Sequence, residues 1–317
     1  MLWYNFSILT KGVFLIFRYY DEYNQAQSCQ PLSISDFLRQ PYGELSGWFN
    51  EYVKYGGLSE IHDIVPYYEL QEGTKLAEFA ESEKVKLLNR IADGAFEYYC
   101  DINNLYNKKD VRRFFKALAK NTGDIISPYK LKVDLSTDES AGSALRDYTV
   151  KKYLELLCLN GLAYRVPIYD PKAGKQKLNM SKYYFADVGL AKAFKGVKLG
   201  RKQLYLSLIC NELMSHEYPL FSALYATSER GEDRKTHRVT KSVDFIVVDN
   251  NKVVQAIQVL ITDKVNEIKE AYHAMKLLGP DCRKTIVTMP DEKILTNIRL
   301  HCPEDVNIVD IITFFVA

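Results

Sequence analysis

Lys241-Ser242-Val243-Asp244-Phe245-Ile246-Val247-Val248-Asp249-Asn250-Asn251-Lys252-Val253-Val254-Gln255-Ala256-Ile257-Gln258-Val259-Leu260-Ile261 is the stretch on which the fold turns. It holds two β-branched apolar runs of strand length, 243–248 and 253–261. Between them lies the polar tetrad Asp249-Asn250-Asn251-Lys252, which favours a tight turn. The pair predicts a β-hairpin at the centre of a sheet. Two residues break the apolar pattern. Asp244 stands at the start of the first strand and Gln258 deep in the second, where a polar group needs a partner or costs stability.

Outward from the hairpin, the preceding stretch Leu204 to His216 reads as a helix and carries Glu212. Together these residues resemble the active-site hairpin of metal-dependent nucleases of the restriction-endonuclease-like class. There an Asp on one strand and a Glu-x-Lys on the next hold a divalent cation and orient the attacking water, often with an upstream acid. The resemblance implies Asp244 as the first carboxylate and Glu212 as the upstream acid. Positions 258 and 260 fall where the second carboxylate and the lysine belong. Here they are Gln258 and Leu260, a neutral amide and an apolar side chain. The expectation is a degenerate site at Glu212, Asp244, Gln258 and Leu260, with no catalysis, no metal and no cofactor. Lys241 and Lys264 are the candidates for a displaced cation, and neither lies in the usual position.

At 317 residues the chain is long enough for two or three modest domains. Its 47% hydrophobic and 26% charged residues are those of an ordinary globular protein. Net charge is +2, but residues 108–202 hold 21 Lys and Arg against 9 Asp and Glu. A basic middle with acidic flanks points to an anionic partner or to a solvated lysine-rich surface. The six cysteines, Cys29, Cys100, Cys158, Cys210, Cys282 and Cys302, form no Cys-x-x-Cys pair and read as buried thiols in a reducing, cytoplasmic setting. The five histidines, His62, His216, His237, His273 and His301, lack ligand spacing and read as isolated surface or packing residues. Leu2 to Phe17 is apolar, yet Lys11 interrupts it and neither a basic leader nor a cleavage site accompanies it, so a buried strand or helix is expected and no membrane association. No Gly-rich loop ending in Lys-Ser or Lys-Thr occurs, which excludes ATP hydrolysis by a phosphate loop within this polypeptide.

The first part of the chain is helical. A short helix follows Pro31, capped by Ser33 or Ser35; Leu45 to Tyr55 forms a second, stopped by Gly56-Gly57; Leu76 to Tyr99 forms a third, and Asp101-Ile102 closes the region. Residues 107–190 have the layout of a winged helix. Val111, Phe115 and Leu118 mark a first helix, Ser127-Pro128 starts a second, and Leu145 to Leu159 makes a third with Val150, Tyr153, Leu154 and Leu157 on one face and Asn160-Gly161 at its end. Strands Leu162 to Tyr169 and Asn179 to Phe185 follow, joined by a basic turn over 170–175 of the kind that forms a wing. A winged helix that reads DNA uses its third helix in the major groove and its wing on phosphates, which makes Arg146, Lys151, Lys152, Lys172, Lys175 and Lys177 the expected contacts. The same layout also serves as a protein-docking module.

In order along the chain stand Pro31-Leu32-Ser33 with Asp36-Phe37, Tyr52 with Gly56-Gly57-Leu58, Asp101-Ile102, Thr149-Val150 with Tyr153-Leu154 and Gly161-Leu162, Lys182-Tyr183-Tyr184-Phe185-Ala186-Asp187-Val188-Gly189-Leu190, Asn211-Glu212-Leu213, Val243-Asp244-Phe245 and Gln258-Val259. This series resembles the C-terminal portion of a large group of bacterial and archaeal AAA+-type ATPases, whose phosphate-loop domain is followed by a domain of unknown function. The resemblance implies an α+β protein in three parts: a helical region over 1–106 that includes the end of an ATPase domain, a winged helix over 107–198, and a restriction-endonuclease-like domain with a mixed sheet over 199–317. It implies a non-catalytic module that binds double-stranded DNA or a partner protein. The alternatives are a metal-dependent nuclease with a degenerate site and a structural subunit docking on a separately encoded ATPase.

Overall fold

The computed structural model describes residues 17–39, 44–63, 75–136, 145–196, 199–216, 219–230 and 236–316. The apolar segment expected as a buried strand or helix at the N-terminus lies outside the described residues, apart from Phe17. Among the described residues the fold is mixed α and β, with twelve helices, a two-stranded sheet and a seven-stranded mixed sheet. The chain forms two compact units, one of residues 1–165 with 183–217 and one of residues 166–182 with 218–315.

The first unit opens with an antiparallel hairpin, β1 (Phe17–Tyr20) and β2 (Ala26–Cys29), whose turn is held by Asp21 accepting from the backbone of Tyr23 and Gln25. In α1 (Ile34–Leu38) the Ser33 hydroxyl accepts from the amide of Asp36 at 3.1 Å, so Ser33 is the cap. Next come α2 (Leu45–Tyr55), with the bounds its pattern predicts, and α3 (Ser59–His62). The long α4 (Lys75–Ile102) buries Ala80, Lys84, Leu88, Ile91, Ala95, Phe96 and Tyr99, a helical stripe with a lysine in it, while Phe79 and Val85 face solvent. Helices α5 (Lys108–Lys120), α6 (Pro128–Ser136) and α7 (Asp147–Leu159) pack around Phe114, Phe115 and Tyr153, which meet edge to face. Ser127 caps α6 by accepting from Lys130, and α7 buries Val150, Tyr153, Leu154 and Leu157, the face its spacing predicts. Helices α8 (Val188–Lys195) and α9 (Arg201–Ser215) complete the unit.

Part of the basic excess of the middle region is neutralised inside this unit. Lys108 on α5 pairs with Glu97 and Asp101 of α4 at 2.6 and 3.0 Å, and Arg112 pairs with Asp93 at 2.8 Å. Exposed pairs of this kind add about 0–1 kcal/mol each, but they remove charge that would otherwise face a partner.

Between α7 and α8 run β3 (Ala163–Asp170) and β4 (Lys175–Phe185), whose distal ends belong to the second unit. The remaining elements are β5 (Leu220–Arg230), β6 (Thr236–Asp249), β7 (Lys252–Val259), α10 (Val265–Lys276), β8 (Arg283–Thr288), α11 (Glu292–His301), β9 (Val306–Asp310) and α12 (Ile311–Val316). The sheet order is β4-β3-β5-β6-β7-β8-β9. Strands β7, β8 and β9 are parallel, whereas β5, β6 and β7 pair antiparallel, so the expected hairpin sits at the sheet centre. Its turn places Asn250 and Asn251 at φ 47° and 61° between paired Asp249 and Lys252, the backbone that suits the twist of the flanking strands.

The segment expected as a wing differs from that expectation. Strand β4 begins at Lys175, inside the stretch read as turn, and β3 pairs in parallel with β5 through Ile168 and Tyr169. Val166, Ile168 and Tyr169 are all buried, so this strand is covered on both faces and needs sheet neighbours. The hairpin is a sheet margin, with Lys175 and Lys177 on the edge strand, where lysines discourage further pairing.

Candidate functional site

The polar positions of the central hairpin meet in the second unit. From the turn outward, β6 and β7 pair as Asp249 with Lys252 and Val248 with Val253; the register then slips by one residue, so that Val247 faces Gln255 and Phe245 faces Ile257. This irregularity brings Asp244 level with Gln258. There side chains take over from the ladder. The Asp244 amide donates to Gln258 Oε1 at 3.1 Å, and the Val259 amide donates to Asp244 Oδ2 at 3.0 Å. The remaining carboxylate oxygen, Oδ1, lies 3.4 Å from Lys182 Nζ on β4. Lys182, Asp244 and Gln258 are each 8% exposed or less. The cluster is buried and neutral, and both Asp244 oxygens have partners.

Gln258 enters this contact as an acceptor, through its amide oxygen. Sequence reasoning missed Lys182 as a site residue. The available signal was a lysine heading the run from Lys182 to Leu190, all of it buried, because a lysine in such a run needs an acid. The other residues singled out have different tasks. Leu260 packs in the core with Ile268, Ala271 and Ile286. Lys241 is buried and lies 3.8 Å from Glu270, and Lys264 pairs at the surface with Glu267. Glu212 belongs to the first unit, where its carboxylate accepts from the Ser35 amide at 3.1 Å and contacts His216 Nε2 at 2.9 Å. Among the described residues no group of three or more His, Cys, Asp or Glu is arranged to hold a metal ion.

The residues expected to touch nucleic acid fall three on each unit. Arg146, Lys151 and Lys152 are exposed at the start and along the outer face of α7, with Lys151 3.9 Å from Glu155. Lys172 and Lys175 are exposed at the β3–β4 turn, and Lys177 lies 3.5 Å from Asp170.

Three of the motifs that carried the family resemblance, Pro31-Leu32-Ser33, Tyr52 with Gly56-Gly57, and the run ending in Asp187 to Leu190, meet in a second cluster within the first unit. Asp187 is fully buried; it accepts from Gly57 at 2.7 Å and from Leu190 at 2.9 Å, so one carboxylate holds the turn after α2 and caps α8. Burial pushes its carboxyl up, against the lowering effect of the amides of Gly57, Leu190 and Gly189. A Cβ at Gly56 would stand 2.2 Å from the Asp187 carboxylate, and one at Gly189 would stand 2.1 Å from the Tyr55 carbonyl, so both positions exclude side chains. Tyr52 donates to the Leu32 carbonyl at 2.8 Å. Beside this joint, Lys84 pairs with Glu51 at 2.5 Å, and His62 sits between Glu51, at 3.7 Å, and the Gly56 carbonyl, at 2.8 Å. Burial opposes ionisation of Glu51, but the hydrogen bonds and charges of His62 and Lys84 outweigh it and hold the carboxyl below its ordinary range. These residues join helices.

A model of a domain of unknown function, DUF8612, matches residues 86–201, from within α4 to the first residue of α9. The matched stretch includes Lys182 and Asp187 and stops short of Asp244 and Gln258. An uncharacterized protein of Haemophilus influenzae is 28% identical over 173 residues, which is 53% of this chain and 39% of that protein. The chain thus matches about two fifths of the relative's length. No solved structure matches. No helix among the described residues is long and apolar enough to cross a membrane.

Proposed function

We propose that this chain is a non-catalytic binding module related to the C-terminal region of AAA+-type ATPases, with a winged helix over 107–198, a restriction-endonuclease-like domain over 199–317, and DNA as its partner. The observation that carries the non-catalytic part is the closed state of the hairpin cluster. A hard divalent ion needs several oxygen ligands and excess negative charge to offset its dehydration. Asp244 offers one carboxylate, already bonded to Val259 and Lys182. For the nuclease alternative, the hydrogen bonds of the cluster bring in no second acid among the described residues. The DNA part is supported by exposed Arg146, Lys151, Lys152, Lys172 and Lys175.

A second reading, docking on a separately encoded ATPase or another protein, has its own support. Tyr148 and Leu159 on α7 are 77% and 63% exposed, and the acids Asp147 and Glu155 share that helix with its lysines. Electrophoretic shift of duplex DNA across a salt series separates the two. Phosphate contacts lower log K by about 0.9 per neutralised phosphate for each unit of log salt. Replacing Lys151, Lys152, Lys172 and Lys175 together by Glu is expected to abolish the shift. If that variant, still folded, binds DNA as well as the parent, the DNA reading fails.

A further inference from the structure

Among the described residues four lysines are buried, Lys84, Lys182, Lys241 and Lys284, and each has an acid within reach. For Lys241 and Lys284 the acid is at the surface, Glu270 at 76% and Asp305 at 53% side-chain exposure, so these ammonium groups reach toward water. Lys84 shares a buried acid, but His62 stands beside the pair. Lys182 alone of the four faces a buried acid at the end of a strand ladder, with the remaining oxygen of Asp244 and the side-chain oxygen of Gln258 tied to backbone amides. Asp244 is thus the common member of the cluster: one carboxylate oxygen faces the lysine ammonium, and its own amide is held by the Gln258 side-chain oxygen.

We propose that the Lys182 ammonium occupies the place of a divalent cation at this cluster, and that removing it while giving position 258 a negative charge opens an oxygen-ligand site for Mg²⁺ or Mn²⁺. The inference rests on the cluster geometry and is independent of the DNA reading. Charge sets the order of the effects. With Lys182 present and Gln258 neutral, the cluster has no net charge. Lys182→Met leaves one negative charge, and its terminal methyl reaches no further than the last carbon of the lysine, so the ammonium position empties. Adding Gln258→Glu supplies a second carboxylate and keeps the oxygen that accepts from the Asp244 amide. Two charges at one point are what a dehydrated divalent ion requires.

The test uses the full chain and Mn²⁺ alone, with binding counted by electron paramagnetic resonance and stability followed by thermal unfolding. Parent and Gln258→Glu proteins are expected to bind no Mn²⁺ at this position, because the lysine still fills it. The double variant is expected to bind one ion per chain, with a Tm rise of about 2–4 °C when Mn²⁺ stands about tenfold above its Kd. Adding Asp244→Asn to the double variant removes that binding. In a protein carrying Lys182→Ala with Gln258→Glu, methylammonium is expected to raise Tm and to compete with Mn²⁺, since both seek one position. The proposal is overturned if Gln258→Glu with Lys182 intact binds Mn²⁺ as tightly as the double variant, or if the folded double variant binds none. Should the double variant fail to fold, Lys182→Ala combined with Gln258→Glu takes its place: one Mn²⁺ per folded chain supports the proposal, and no binding overturns it.

Discussion

Lys84→Met is expected to destabilise the first unit by about 3 kcal/mol at pH 8. The lysine is 1% exposed and its nitrogen lies 2.5 Å from Glu51, whose side chain is 8% exposed. At an effective dielectric of about 20 the gross attraction is about 7 kcal/mol, and the desolvation of two ions, at several kcal/mol each, cancels most of it. The intact pair therefore contributes little net stability. Removing one partner is different, because Glu51 then remains a buried charge, for which the usual loss is about 3–5 kcal/mol. His62, 3.7 Å away, shares the residual charge and puts the expectation at the lower end. The pH dependence has a definite sign. In the parent, Glu51 titrates below its unfolded value, so its contribution is present above about pH 4.5 and is lost as pH falls through the folded value. In the variant, burial dominates and raises the carboxyl, so its penalty is greatest at high pH and shrinks as the medium is acidified. Urea unfolding at pH 8 and pH 5 measures both, with the buried Trp48 as reporter in a Trp3→Phe background. Glu51→Gln combined with Lys84→Met is expected to recover stability to within about 1 kcal/mol of the parent. A single variant within about 1 kcal/mol of the parent at pH 8, or a double variant no better than the single, refutes the reasoning.

Asp187→Ala leaves the buried amides of Gly57 and Leu190 without their acceptor and removes the α8 cap, and a loss of about 3 kcal/mol is expected by urea unfolding. A loss below about 1 kcal/mol shows that other groups or water satisfy those amides. Gly56→Ala, at φ +86° with the Asp187 carboxylate 2.2 Å from the new methyl, is expected to cost more than about 3 kcal/mol. The matched substitution Gly174→Ala, at φ +62° with nothing within 4 Å, is expected to cost about 1 kcal/mol, and equal effects at the two sites sink the packing argument.

What the sequence revealed of this protein follows from the range of its signals. The central hairpin was legible because two β-branched runs and an Asn-Asn turn are local, and the third helix because Val150, Tyr153, Leu154 and Leu157 repeat at helical spacing. The nearness of Asp244 and Gln258 was legible in outline, but the register slip that aligns them was not, since Val253, Val254 and Gln255 carry no mark of an irregular strand. Lys182 escaped because its partner is 62 residues away and no period connects them. The assignment of β3 to the main sheet escaped for a related reason. Pairing of Ile168 with Ser222 is a choice of neighbour made by the whole sheet, not by the strand.

The bond from Gly57 to Asp187 spans 130 residues, which has a consequence for how the first unit can be divided. A fragment limited to the matched stretch 86–201 would retain Asp187 and the helix it caps but would lack the turn that supplies its second donor. The carboxylate would then be exposed or protonated, and the groove left by Gly56 and Gly57 would uncover Tyr55-facing surface of α8. Such a fragment is expected to behave as a molten or aggregating species, and autonomous folding should begin only in fragments that reach back to Leu32, whose carbonyl anchors Tyr52. The helical N-terminal segment is, in this sense, an obligatory part of one cooperative folding unit.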